Sequence, residues 1–287
     1  MSAAAAAGLH AALALPAADT RGGFPAPTAE EFFFDPVTIF GHTLSFKPGG
    51  LDLSINRVVL LQFLVAGVLC ALFAAAFRRP RTVPRGPQNL LEAVMDFIRK
   101  DLVLDVVGEQ GKKYTAYFMA LFFFIWFGNL AEIVPGIAFP INSRTGLPIA
   151  FALITLFLFI REGVRVQGLG HYLKGALFPP GVPLPIYVIL TPIEFISTFL
   201  IRPFTLFIRL AANMIAGHLL LGIMYVATDY LLFGFHFGKA FTAIFGVGSF
   251  LGAVIFTGFE LFVGSLQAYI FVLLTGVYIA GALEPEH

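Results

Sequence analysis

The sequence predicts an all-α integral membrane protein with about five membrane-crossing helices, the last two long and steeply tilted, plus an amphipathic surface helix. Of its 287 residues, 58% are hydrophobic and only 12% are charged, whereas about 25% of residues in soluble domains are charged. Several apolar runs reach the ~20 residues that a membrane-crossing helix needs. The formal net charge of +1 leaves no basic surface for a nucleic acid.

Residues 1–50 are predicted to form an extramembrane N-terminal segment, and residues 51–287 a single membrane domain. Prolines and glycines recur between residues 25 and 50 and would interrupt any long helix. No Lys or Arg precedes Arg21, so the sequence lacks the basic start of a signal peptide and the Arg-rich pattern of a transit peptide. A bacterial plasma membrane is therefore expected.

The first predicted span, near residues 58–77, contains no charged residue, and its single cysteine, Cys70, is interpreted as a packing residue. Eight Lys and Arg residues follow between residues 78 and 113. This excess of cations predicts a cytoplasmic loop. Within the loop, apolar residues recur at helical spacing near residues 88–106, which predicts a helix lying on the membrane surface. A solvated linker helix remains the alternative.

The second and third spans are predicted near residues 114–135 and 147–165. The second contains Glu132 near its end, and the turn that follows holds one cation, Arg144, so this turn is expected to face outward. The apolar part of the third span, Leu147–Ile160, needs flanking residues to reach membrane-crossing length. Three further cations then return the chain to the cytoplasmic side.

The last two spans are predicted near residues 185–230 and 239–283. From Phe241 to Leu283 the chain has no cation and one acid, Glu260. A straight helix of this length would extend about 65 Å, twice the ~30 Å of the hydrocarbon layer, so it must tilt or break. The five crossings and the distribution of Lys and Arg predict an external N-terminus and a cytoplasmic C-terminus.

Polar residues inside these last spans are the candidates for function. An arginine at the centre of the hydrocarbon layer costs ~2.5 to 3.5 kcal/mol, so Arg209 should face protein or a water-filled cavity. On an ideal helix Asn213 lies about 40° from Arg209, and His218 about 180° from it. Glu260 and Gln267 fall within about 20° of one face. These groups are strung along helices and do not converge on a substrate pocket.

The residue types favour a proton path. Histidine titrates near neutral pH, and desolvation brings a carboxyl group toward the same range, so His218 and Glu260 can relay protons. A guanidinium stays protonated, so Arg209 can act as a fixed barrier or counter-ion but not as a carrier.

Structural interpretations of the same residues stay open. Arg209 can be an ion-pair partner of Glu194 or Glu260, or a residue that extends to a nearby membrane interface, and His218 can be a packing residue. Gln267 can simply hydrogen-bond between helices. Glu132, beside Asn129, either lines a water-filled entrance or marks the membrane surface. Arg202 is interpreted as a residue that extends to the membrane interface.

Three motifs carry a family resemblance. The segment from Arg202 to His218 reads RPFTLFIRLAANMIAGH and resembles the signature of the ATP synthase subunit a family. Leu266–Phe271, LQAYIF, is similar to the family's last helix, and Asn129–Pro135, NLAEIVP, to its second span. The resemblance covers roughly residues 30 to 287.

The resemblance implies roles for individual residues. Arg209 matches the arginine that faces the carboxylates of the rotating c-ring, with Asn213 beside it, and Gln267 matches a glutamine facing that arginine. His218 and Glu260 match a pair lining the outer half-channel, although some members place the acid first. Glu132 and Asn129 fall near its entrance, and Glu194 near the inner half-channel. Ala211 stands where a bulky Phe is usual, which affects local packing.

The resemblance also implies the activity, which is proton translocation through two offset aqueous half-channels at the c-ring of an F-type ATP synthase. The implied partners are the c-ring, the subunit b peripheral stalk, the remaining subunits and the lipid bilayer. The chain is expected to be non-catalytic by itself and to carry no cofactor, since it lacks the G-x-x-x-x-G-K-[ST] loop. His171, His218 and His236 also lack the spacing of metal or haem ligands.

Two other functions remain as alternatives. A secondary transporter should contain inverted repeats with interrupted helices at corresponding positions, and no convincing repeat is found. If the chain were a purely structural subunit of a respiratory complex, Arg209, His218 and Glu260 would have no functional role.

Overall fold

The computed structural model describes residues 38–39, 42–43, 57–79, 83–134, 141–143, 146–178, 182–234 and 239–283. The predicted extramembrane segment therefore lies outside the described residues, apart from two short strands. These are β1, Thr38–Ile39, and β2, His42–Thr43, which pair antiparallel with Thr38 opposite Thr43. Arg144, His236 and the end of the second predicted span also lie outside the described ranges.

The remaining described residues are almost entirely helical, and the all-α prediction is confirmed. The α-helices are α1 Arg57–Phe77, α2 Pro87–Phe97, α3 Asp105–Val107, α4 Thr115–Leu130, α5 Gly146–Gln167, α6 Leu169–Leu177, α7 Tyr187–Ile196, α8 Arg202–Asp229 and α9 Lys239–Leu283. Wider π-helical turns form Ile98–Leu104, Ser197–Ile201 and Tyr230–Gly234. Short 3₁₀ turns form Glu109–Tyr114, Ile141–Ser143 and Leu184–Ile186.

Four helical stretches of the described residues are long and apolar enough to cross a membrane. They are Val58–Phe77, Gly146–Gln167, Tyr187–Leu232 and Ala243–Leu283, and they coincide with four of the five predicted spans. α4, inside the remaining predicted span, has 16 residues. At 1.5 Å per residue α4 extends about 24 Å, less than the ~30 Å hydrocarbon layer. The steep tilt of the last two helices stays a prediction.

Glycines with positive φ mark both ends of the predicted surface helix. Gly86, directly before Pro87, has a φ of 62°. Gly108 has a φ of 78° and follows the continuous helical stretch made of α2, the π-helical turn Ile98–Leu104 and α3. Proline is well placed at the first helical position because its missing N–H would lack a partner there anyway. The apolar face of this run buries Leu91, Ile98, Leu102 and Val103.

The helices are distributed between two compact units. The first unit contains the described residues within 1–67, 127–144 and 213–265, and the second contains those within 68–126, 145–212 and 266–287. The core of the second unit is aromatic: Phe151 packs edge-on against Phe271, and Phe159 packs against Tyr278 with the two rings tilted. A buried hydroxyl chain crosses this core, because Thr155 Oγ1 lies 3.2 Å from Tyr117 Oη and 3.4 Å from Thr275 Oγ1.

Candidate functional site

Three ionisable side chains meet inside the first unit, and we call them the carboxylate–histidine cluster: Glu132, His218 and Glu260. Glu132 follows the end of α4, His218 lies on α8 and Glu260 on α9. Glu132 Oε1 lies 3.3 Å from His218 Nδ1. Glu260 is close enough to both residues to interact electrostatically with them. The relative exposures of Glu132 and Glu260 are only 5% and 7%.

The carboxylates of this cluster are poorly satisfied by the protein. Three of their oxygens have no hydrogen-bond partner among the described residues: both oxygens of Glu132 and Oε1 of Glu260. The approach of Glu132 to His218 is close enough for an ion pair but lacks hydrogen-bond alignment. An ionised carboxylate in such a place is costly unless a proton, a water or another charge compensates it. The arrangement can therefore take up, hold and pass on protons.

Gly217 makes the space that Glu260 occupies. A Cβ atom at this position would overlap the carboxyl group of Glu260, so only glycine lets the acid lie against α8. Sequence reasoning missed this role. The available signal was a glycine directly before His218 inside a helix, where it costs ~1 kcal/mol relative to alanine.

Asn129 holds the end of α4 against α9. Its Nδ2 donates a 2.8 Å hydrogen bond to the carbonyl oxygen of Gly264, one helical turn from Glu260. Asn142 Nδ2 donates in turn to Asn129 Oδ1 at 2.6 Å. A Cβ at Gly264 would lie 3.1 Å from Cβ of Asn129, so glycine is needed for this close approach. The side chain of Asn129 thus tethers two helices beside the cluster.

Arg209 lies on an exposed face of α8. Its side chain is exposed, while Leu206 and Leu210 beside it in the helix are buried. Among the described residues of the second unit, no carboxylate lies within ion-pair distance of Arg209. The structural interpretation that pairs Arg209 with Glu194 therefore finds no support there, and its pairing with Glu260 stays an open alternative.

The two candidate amides, Asn213 on α8 and Gln267 on α9, are less exposed than Arg209. Asn213 is half-buried and Gln267 is 5% exposed. The Nδ2 atom of Asn213 and the Nε2 atom of Gln267 have no hydrogen-bond partner within the part of the chain that the structure describes. Both amides thus keep a free donor, which a water or a partner can use.

A cavity of about 200 Å³ lies in the second unit. Its polar lining comprises Gln167, Tyr172, Glu194, Thr198, Arg202 and Tyr278. The guanidinium of Arg202 lies over the Tyr278 ring, with Cζ 5.7 Å from the ring centre. Arg202 and Glu194 thus line the same cavity, and the extension of Arg202 to the membrane interface stays a prediction.

Sequence reasoning also missed a buried ion pair in the second unit. Lys113 Nζ lies 2.5 Å from Glu162 Oε2, and the Glu162 side chain is only 1% exposed. The hydrogen bond to Glu162 raises the pKa of Lys113. Arg165 approaches the other oxygen of Glu162 at 3.9 Å. Because 49 residues separate Lys113 from Glu162, no local spacing in the sequence indicates the pair.

Ionisable groups buried in or beside helices of membrane-crossing length are typical of membrane proteins that move ions. In the ranges that the structure covers, no three His, Cys, Asp or Glu side chains are arranged to hold a metal ion. The cluster instead brings together one residue that follows α4, one on α8 and one on α9, and three of its carboxylate oxygens have no hydrogen-bond partner among the described residues.

Comparison with known proteins identifies the family. The family model "ATP synthase A chain" matches residues 59–280, and this chain belongs to that family. It is 41% identical to ATP synthase subunit a of Rhodococcus erythropolis over 264 residues, which cover 92% of each chain. It is also 41% identical to subunit a of Frankia alni over 92% of this chain and 88% of the relative.

A third relative, ATP synthase subunit a of Streptomyces lividans, is 39% identical over 92% of this chain and 90% of its own length. The family predicted from the three motifs is therefore confirmed. Membership supports a role in the proton channel of an F-type ATP synthase. Together with the apolar helices it supports a multi-pass protein of the bacterial plasma membrane.

Proposed function

We propose that this chain translocates protons through two offset aqueous half-channels at its interface with the rotating c-ring of an F-type ATP synthase. The flow of protons is thereby coupled to ATP synthesis. The observation that carries this proposal is the buried carboxylate–histidine cluster with its unsatisfied carboxylate oxygens. A purely structural subunit would gain nothing from such a costly group inside a membrane.

In the proposed mechanism the cluster forms the inner end of the outer half-channel. A proton entering past Glu132 protonates His218 or Glu260 and is then passed to a carboxylate of the c-ring. Neutralisation matters because an ionised acid cannot enter lipid at acceptable cost, whereas a protonated acid can. The ring can then rotate by one subunit. Each charge that crosses contributes ~2.3 kcal/mol per 100 mV of membrane potential.

Arg209 is the proposed counter-charge at the ring. Its exposure supports contact with a partner, since a permanent cation on an apolar face needs an opposite charge to offset the cost of its membrane position. A returning ring carboxyl that meets Arg209 is favoured in its ionised form and releases its proton. Asn213 and Gln267, with free amide donors, are proposed to orient this encounter.

The released proton is proposed to leave through the cavity that Glu194 lines in the second unit, which serves as the inner half-channel. In this scheme the chain forms and breaks no bond of ATP and is non-catalytic by itself. Its proposed partners are the c-ring, the subunit b peripheral stalk and the rest of the complex. The N-terminus lies outside and the C-terminus in the cytoplasm.

The test is ATP-driven proton pumping into inverted membrane vesicles by the complex carrying Arg209→Ala. We expect pumping and coupled ATP synthesis to be lost while the ring still co-purifies. Arg209→Lys should also fail to couple, because a flexible ammonium does not reproduce the fixed, permanently charged guanidinium. Thr205→Ala, on the same exposed face, is the matched control and should pump normally. Normal coupling in Arg209→Ala would contradict the proposal.

A further inference from the structure

Two buried asparagines lie beside the carboxylate–histidine cluster, and we call them the amide pair: Asn142 and Asn129. Asn142 Nδ2 donates to Asn129 Oδ1 at 2.6 Å, and Asn129 Nδ2 donates to the carbonyl oxygen of Gly264 at 2.8 Å. The relative exposures of Asn142 and Asn129 are 0% and 4%. All three residues belong to the first unit. The amide pair therefore connects the 3₁₀ turn Ile141–Ser143 to α9 through the end of α4.

Two glycines make room for the amide pair. A Cβ atom at Gly128 would lie 2.7 Å from Asn142 Nδ2, and a Cβ atom at Gly264 would lie 3.1 Å from Cβ of Asn129. Both glycines lie inside helices, α4 and α9, where alanine is the more favourable residue. Each glycine thus leaves space that the side chain of one asparagine occupies.

The Gly264 carbonyl determines the direction of both hydrogen bonds. A carbonyl oxygen can only accept, so Asn129 turns its Nδ2 toward α9 and its Oδ1 toward Asn142. This oxygen needs a donor, and Asn142 supplies it. If the Asn129 amide were reversed, its Oδ1 would face the Gly264 carbonyl, and two acceptors repel each other. Asn142 therefore favours the orientation in which Asn129 holds α9.

The amide pair ends one helical turn from Glu260, because Gly264 follows Glu260 by four residues on α9. The carboxyl group of Glu260 lies against Gly217 of α8, and Glu132 Oε1 lies 3.3 Å from His218 Nδ1. Proton transfer needs groups within hydrogen-bond reach or one water apart. A small shift of α9 away from α4 would therefore interrupt transfer through the cluster.

We propose that Asn142 is a positioning residue for proton transfer through the carboxylate–histidine cluster. It acts through Asn129, whose amide it orients toward Gly264, and it thereby keeps Glu260 close to the other two members of the cluster. Asn142 itself carries no proton, because its amide is a fixed donor and acceptor. This inference rests on the proposed function, in which the cluster belongs to the outer half-channel.

The first experiment measures ATP-driven proton pumping, normalised to ATP hydrolysis, in inverted vesicles that contain the whole complex. Asn142→Ala removes the donor, and we expect pumping to fall about fivefold, the factor that one typical intramolecular hydrogen bond corresponds to. Gly128→Ala should lower pumping similarly, because its Cβ would displace the Asn142 amide. Asn89→Ala, at an exposed asparagine of α2, is the matched control and should pump normally.

A double variant separates action through Asn129 from general damage to the turn. Asn142→Ala should lower pumping in the parent protein but cause no further fall in an Asn129→Ala background. Equal factors in the two backgrounds would mean that the asparagines act independently, which would overturn the inference. If Asn129→Ala pumps too weakly for this comparison, the aspartate variant of Asn142 decides.

Asn142→Asp tests the donor directly, because it keeps the shape of the side chain. Its ionised carboxylate can only accept, whereas its protonated form can donate to Asn129 Oδ1. We measure pumping relative to the parent protein at the same pH, in vesicles whose lumen, the predicted outer side, is buffered at graded pH. Glu132, His218 and Glu260 titrate in both proteins, so this ratio cancels their effect.

We expect the pumping ratio of Asn142→Asp to approach that of the parent protein as the lumen becomes acidic, while Asn142→Ala stays impaired at every pH. A merely structural role of Asn142 would not produce this recovery. Normal pumping by Asn142→Ala, or an aspartate variant as impaired as the alanine variant throughout the range, would overturn the inference.

The result is separable from that of the proposed function. Asn142→Ala should still pump at a reduced rate, whereas Arg209→Ala should not pump. If Arg209→Ala fails to pump and Asn142→Ala pumps normally, the channel proposal stands and the role of Asn142 is wrong. If Arg209→Ala pumps, the proposed function itself is wrong.

Discussion

At the scale of single residues, the placement of Glu260 depends on what surrounds it more than on the acid itself. Gly217 leaves room for the carboxyl group, and Asn129 holds α9 one turn away through the carbonyl of Gly264. Neither residue titrates. The position of Glu260 in the carboxylate–histidine cluster therefore depends on the absence of a Cβ atom at Gly217 and on the hydrogen bond from Asn129 to Gly264.

Replacement of Gly217 by alanine tests this control. The new Cβ would overlap the carboxyl group of Glu260, and because this group is the end of a flexible side chain, it should move away from α8 to make room. We expect proton pumping in inverted vesicles to fall about tenfold, which corresponds to ~1.4 kcal/mol, because the acid is displaced from His218 and Glu132.

Gly67→Ala serves as the control for Gly217→Ala. Gly67 is also helical, but nothing lies within 4 Å of a Cβ atom there, so this variant should pump normally. Equal activity of the two variants, with both complexes assembled, would show that the position of Glu260 does not limit proton transfer.

The sequence predicted the ionisable members of the site better than their supports. Hydropathy makes Arg209, His218 and Glu260 visible because each interrupts an apolar run. Gly217 and the Asn129 tether were not predictable as supports, since their roles depend on which helix faces approach each other. The bond from Asn129 to Gly264 joins residues 135 positions apart, which no local pattern encodes.

At the scale of helices, polar contacts fix how α4 and α5 lie together. Tyr117 and Thr155 connect these helices within the apolar layer, and Lys113 and Glu162 connect them at one end. Hydrogen bonds between membrane helices contribute about 0.6 kcal/mol each on average. This average does not apply to the ion pair between Lys113 and Glu162. Its contribution to stability depends on burial, and Glu162 is 1% exposed whereas Lys113 is 41% exposed.

Removal of one member of this pair should destabilise the second unit. Lys113→Ala leaves the buried Glu162 carboxylate with only Arg165 nearby, at 3.9 Å; loss of one partner costs about 3–5 kcal/mol in fully buried pairs. Because Lys113 is partly solvated, we expect a smaller loss of about 2 kcal/mol in the free energy of unfolding, measured by SDS titration in mixed micelles.

The double variant and a neighbouring lysine complete the Lys113 experiment. Glu162→Gln combined with Lys113→Ala should recover most of the lost stability, because no uncompensated charge remains. Lys112→Ala removes a cation whose pair with Glu109 is exposed, and should change stability little. A single Lys113→Ala variant as stable as the parent protein would mean that the pair contributes nothing to helix association.

The helices themselves were largely predictable, because runs of apolar residues determine where a chain can enter lipid. Four of the five predicted spans coincide with helices of membrane-crossing length. The π-helical turns were not predictable. An apolar segment has the same hydropathy whether its backbone forms α or π turns, so the sequence pattern does not distinguish the two. The run from Ser197 to Ile201 illustrates this, since its five residues read STFLI.

At the scale of the whole molecule, the family and the all-α membrane fold follow from the sequence, while the orientation in the membrane is a prediction of charge distribution. The cationic residues between 78 and 113 assign that segment to the cytoplasm. The helix-rich structure agrees with several crossings but carries no marker of inside and outside.

Orientation can be measured with single cysteines, because Cys70 is the chain's one cysteine and its replacement by alanine leaves a thiol-free background. Lys100→Cys places a thiol at an exposed position of the predicted cytoplasmic segment. We expect a membrane-impermeant maleimide to label it in inverted vesicles and not in right-side-out vesicles.

Gly146→Cys, at an exposed position next to the predicted outer turn, should show the opposite labelling pattern. The Cys70→Ala background alone should stay unlabelled in both preparations. Labelling of Lys100→Cys from the outer face would reverse the predicted topology.

The π-helical turn Ser197–Ile201 also determines where this chain can change its length. A π turn holds one residue more than an α turn, so loss of one residue there can be absorbed as the turn tightens, leaving the flanking helices in phase. The segment between Arg209 and His218 is a regular α-helix without such an extra residue. A deletion there would rotate every later side chain of the helix by about 100° around the helix axis. Deletions of single residues among descendants of this gene should therefore accumulate at the π turn and spare the helix that follows it.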